Sequence, residues 1–124
     1  MYPPVFATLK NNTAVAALLG GNPFRVFVPG EAPQSVESAY LVWQVIGGQP
    51  ENYVGDSPDT DTHTVQMDVY AAQLSDARAV AKAVRDAIEP VAYVTGWLGE
   101  SRESDTRLYR VSFQVDWISD RTIN

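Results

Sequence analysis

The sequence predicts a single α+β domain spanning residues 1–124. A mainly antiparallel sheet, with a mixed arrangement left open, is packed by an N-terminal helix and a central helix at about residues 75–89. Three observations predict this. From Thr62 to Pro90 the apolar positions pass from a period of two to a period near 3.6, so a strand feeds a helix. From Thr106 to Ile118 apolar and polar residues alternate without a break, which marks a half-buried strand. Between them in character, Ala39 to Ile46 (AYLVWQVI) is β-branched and aromatic on both faces and belongs in the sheet interior with partners on both sides.

Taken in order, Pro3-Pro4 can open a helix whose apolar face is Val5, Phe6 and Leu9. Asn11-Asn12-Thr13 interrupts it, and either Asn12 or Thr13 caps a second short helix, Ala14 to Leu19, with Gly20-Gly21 as its left-handed exit. Arg25 to Val28 is short, alternating and stopped by Pro29-Gly30, as suits an edge strand. In the strand that follows Thr62, Val65, Met67, Val69 and Ala71 share the core face. Ser75 is the expected N-cap of the central helix, with Asp76 in the first turn. Its apolar stripe is Ala77, Val80, Ala81, Val84 and Ile88, and Pro90 stops it. Val91 to Leu98 is expected as a strand weakened by Gly96, followed by a polar turn, Gly99 to Asp105. The closing strand sets Tyr109, Val111, Phe113, Val115 and Trp117 on one side, with room for a bulge, and Ser119 to Asn124 is expected to fray.

Gly47 to Asp61 carries three glycines, two prolines and four acidic residues with no regular period. A loop of that length in a small domain is functional or mobile. Tyr40, Tyr53 and Trp97 are aromatic residues that fit either the core or the centre of a protein contact, while Trp43, Tyr109, Phe113 and Trp117 are assigned to the core.

The composition excludes more chemistry than it suggests. There is no cysteine, hence no disulfide, thiolate ligand or cysteine nucleophile. Nine basic residues are scattered among 15 acidic ones, for a net charge of −6, so tight binding to nucleic-acid phosphates is not expected. No apolar run approaches the roughly 20 residues of a membrane span, and Met1-Tyr2-Pro3-Pro4 lacks a basic signal-peptide start, so the chain reads as cytoplasmic and untargeted. The sole histidine, His63, has no serine nucleophile beside it and reads as structural. Asp56, Asp59 and Asp61 could offer oxygen ligands to a divalent cation, but without calcium-loop spacing they read as a solvated acidic loop. No phosphate-cradling glycine motif is present. No catalytic residue, cofactor or metal site is assigned.

Several pieces in order resemble the tail completion, or tail terminator (head-to-tail joining), proteins of long-tailed phages: TAVAALLGG, RVFVP, AYLVWQVIGGQPEN, TVQMDVYAAQLSDARAVAKAVRDAI and TRLYRVSFQVDWIS. Their order and spacing carry the likeness, and Glu89 to Gly99 matches least. The resemblance implies a virion structural protein, made in the host cytoplasm, that forms a homohexameric ring at the head-proximal end of the tail. The ring would cap the tube of major tail tube protein and join it to the head-tail connector or stopper protein. The resemblance brings no catalytic residues. The alternatives are another head-tail connector, stopper or tail-tube subunit, and more remotely a small metal-dependent hydrolase using the acidic loop. An acidic ring would let DNA pass through its lumen without specific binding, because it repels phosphate. On this reading Glu51, Tyr53, Asp56, Asp59 and Asp61 form an arm at the lumen or tube-facing surface that orders on assembly.

Overall fold

The computed structural model describes residues 3–20, 23–32, 38–50 and 60–120. Its elements run α1 (Val5–Lys10), α2 (Thr13–Leu19), β1 (Val26–Phe27), β2 (Tyr40–Pro50), β3 (Thr60–Ala71), α3 (Leu74–Ile88), β4 (Ala92–Arg102) and β5 (Tyr109–Asp120). The strands form a mixed, mostly antiparallel sheet of order β1-β2-β3-β5-β4, in which β1 runs parallel to β2 and every other pairing is antiparallel. After β3, α3 crosses over to β4 at the sheet edge, and β5 returns to fill the position between them.

Period-two patterning aligns the core in rungs. Trp43, Met67 and Phe113 lie on one rung and Val45, Val65 and Val115 on another, all on the face that α3 covers. The stripe Ala77, Val80, Ala81, Val84 and Ile88 is buried against it as expected, and Val5, Leu9, Val15 and Leu19 of the first two helices complete the helical layer. The N-terminal helix is broken as expected. Asn12 caps α2 by accepting from Val15 N–H at 3.0 Å, and Gly20 ends it at φ 80°, where a β-carbon would also run into the Arg25 guanidinium.

Five expectations are corrected. Gln73, not Ser75, stands at the N-cap of α3 and makes no side-chain cap hydrogen bond; the helix begins at Leu74, whose packing against the core sets its first turn. The expected loop from Gly47 to Asp61 is strand at both ends: Gly47 pairs with Thr64, and Pro50 with Asp61. A bulge at Ile46 shifts the register there, so the backbone ladder continues where the side-chain pattern has stopped. β4 runs to Arg102, through the expected turn at Gly99, because Thr95 and Leu98 bulge out and break the readable alternation while the pairing persists. Ser119 and Asp120, expected to fray, pair with Asp61 and Thr60. Finally, β2 has strand partners on both sides only at Leu41 and Val42, so most of it is an edge among the described residues.

Candidate functional site

The polar face of the sheet, away from α3, is built by the residues that alternate with the core. Asp68 is only 6% exposed, an unusual place for a carboxylate, and its oxygens accept from Ser112 Oγ and from Gln66 Nε2. Beside it Tyr40 and Tyr70 stack with ring centroids 4.9 Å apart, and Phe27 meets Tyr40 edge-on. Burial pushes both phenols up from the ordinary tyrosine pKa, and for Tyr70 a hydrogen bond with Arg110 works in the opposite direction. That same bond raises Arg110, which also faces Glu103 at 3.5 Å. A concavity of about 450 Å³ opens over these groups and is rimmed by Pro29 and Gly30. Its chemistry is that of a hydrogen-bonding surface. No group of three His, Cys, Asp or Glu side chains able to hold a metal occurs among the described residues.

The second concavity, about 430 Å³, lies on the other face between α3 and β4. The small Ala81 leaves space above the buried Val111, and Trp97 forms the wall, tilted onto Phe113 with centroids 5.0 Å apart. Arg78, Lys82 and Arg85 rise one helical turn apart along the rim. Arg78 makes a two-pronged contact with Glu100, both bonds 2.7 Å, which holds the Glu100 carboxyl below its usual range. Lys82 and Arg85 pair along the helix with Asp86 and Glu89 at 3.2 and 3.3 Å.

Of the residues expected to form an assembly arm, Glu51, Tyr53, Asp56 and Asp59 lie outside the described residues. Asp61 belongs to β3, its backbone opposite Pro50 and Ser119. Tyr40 is half-buried in the stacked pair, and Trp97 is 52% exposed. Sequence reasoning missed the Asp68 network. An aspartate in mid-strand is a disfavoured choice and was the available signal. It also missed the basic rim of the α3–β4 groove.

A family model described as "Tail completion protein gp17" matches residues 3–120. Among solved structures, a chain from the "Virion of native gene transfer agent (GTA) particle" is similar, with a TM-score of 0.62 and 18% identity over 94% of this chain and 91% of that one. At that identity the likeness shows the fold. No curated protein sequence matches.

Proposed function

The chain belongs to the tail completion protein gp17 family, a family of structural phage tail proteins, and from that premise we propose that six copies form a ring at the head-proximal end of a long non-contractile tail. The ring ends polymerisation of the tail tube, caps it, and presents the surface that joins the tail to the head connector. Its neighbours are the major tail tube protein and a connector or stopper protein, and DNA passes through its lumen ungripped. The observation that carries the reading is a family match that runs across every described element, α1 to β5.

Two further features support it. The sheet has two edges among the described residues, β4 and most of β2, and an unpaired edge is suited to a neighbouring subunit. Large apolar residues are exposed beside the β4 edge, with Tyr93 at 66% and Trp97 and Leu98 near half, as suits a surface that is covered on assembly. The net charge of −6 favours passage of DNA over binding.

Removing the gene from the particle-producing host tests this reading. The expected product is tubes of uncontrolled length that fail to join heads. Tails of normal length that fail to join would instead identify a stopper, and absence of any tube would identify a tube subunit.

A further inference from the structure

The α3–β4 groove is apolar at its floor and cationic at its rim, and its lining contains one acidic residue, Glu100. The Lys82 side chain is 71% in water, so its pair with Asp86 exchanges readily for a better-placed partner. A half-exposed tryptophan beside two arginines brings together residue types enriched at protein contacts.

A matching segment lies in the chain itself. Residues 51–59, ENYVGDSPD, carry three acids, no base, and one apolar pair, Tyr53-Val54. Anchored at Pro50 and Thr60, this segment extends at most about 18 Å from its anchors, taking roughly 3.6 Å per residue out and back. Thr60 pairs with Asp120 and Trp97 with Phe113, so the groove lies seven residues along β5 from that anchor. That separation is about 23 Å along the strand, with about 10 Å more across two strands. Tyr53, three residues from Pro50, cannot reach Trp97 of its own chain, but it can reach that of another copy.

We propose that residues 51–59 of one copy dock in the α3–β4 groove of a neighbouring copy, Tyr53 and Val54 against Trp97 and the acids against Arg78, Lys82 and Arg85. The inference rests on the proposed ring for its second copy. Because the donor segment and the groove are different surfaces, the contact is head-to-tail, the kind that closes into a ring.

The chain has no cysteine, so Ser57→Cys combined with Lys82→Cys introduces one reporter pair. Oxidation of tails assembled with the double variant is expected to link copies of this chain into a covalent ladder, and neither single variant should do so. A ladder ending at six supports both the docking and the ring. A ladder ending at another number supports the docking and contradicts the six-fold ring. Assembled tails with no link, a link within one chain, or a link from Lys82→Cys to a different tail protein overturn the docking and leave the ring standing. If the cysteine variant does not assemble, a charge swap decides. Lys82→Glu with Arg85→Glu should weaken association at least tenfold with the fold intact by circular dichroism, and adding Asp56→Lys with Asp59→Lys should restore it. Unchanged association after the reversal, or no recovery after the swap, overturns the docking.

Discussion

Ser112 of β5 donates its hydroxyl hydrogen to Oδ1 of Asp68 on β3, 2.5 Å away, directly across the strand pairing. Both residues are buried, so removing one leaves a desolvated polar group behind. Ser112→Ala is expected to cost about 1–2 kcal/mol in urea unfolding, because Asp68 keeps Gln66. Asp68→Ala should cost more, since it strands Ser112 and Gln66 together. Equal, negligible losses would show that the network is not part of the folded state's stability.

The closing strand carries the largest buried side chains. Phe113 and Trp117 are 0% and 2% exposed. Phe113→Ala and Trp117→Ala should each lose about 3–5 kcal/mol through lost burial and the cavity left behind. A melting midpoint unchanged by either substitution would contradict the assigned faces of β5.

Much of this fold was legible because local period and packing agree. The whole α3 stripe and the alternating faces of β3 and β5 lie where the sequence pattern puts them. What was illegible depends on distant partners. The length of β4 is set by its ladder with β5, and bulges at Thr95 and Leu98 hide it from any alternation rule. The Asp68–Ser112 contact joins residues 44 positions apart, so the sequence shows an odd strand aspartate and not its partner. The groove likewise forms only when the crossover brings Arg78 and Lys82 beside Trp97.

Gly20 tests a backbone constraint. At φ 80° and ψ 170°, a region almost confined to glycine, and with Arg25 packed against it, Gly20→Ala should destabilise by about 1–3 kcal/mol from the backbone geometry alone. Arg25 also donates to the Ala39 and Leu18 carbonyls at 2.7 and 3.0 Å, tying the end of α2 to the start of β2. Arg25→Ala should therefore relieve the crowding at Gly20→Ala while lowering stability itself. Differential calorimetry of the two single variants and the double variant should show this non-additivity.

Alkaline pH should weaken the fold through the stacked tyrosines. Burial raises both Tyr40 and Tyr70 above the ordinary value of 10.0, so near and above that pH the unfolded chain loses these protons first. With fewer protons bound to the unfolded state, stability falls as pH rises, whereas below that range the contribution is fully present. Urea midpoints measured from pH 8 to 11 should decline less steeply for Tyr40→Phe with Tyr70→Phe than for the parent chain. Parallel declines would assign the alkaline loss to other groups.

The proposed role of this chain is to stop a growing tube. The decisive measurement is the length, by electron microscopy, of tubes polymerised from purified tail tube protein with and without the chain. Adding the chain is expected to shorten the tubes in proportion to its concentration and to leave a six-copy ring at one end of each. A length distribution identical in its presence and absence, with no density added at either end, would contradict it.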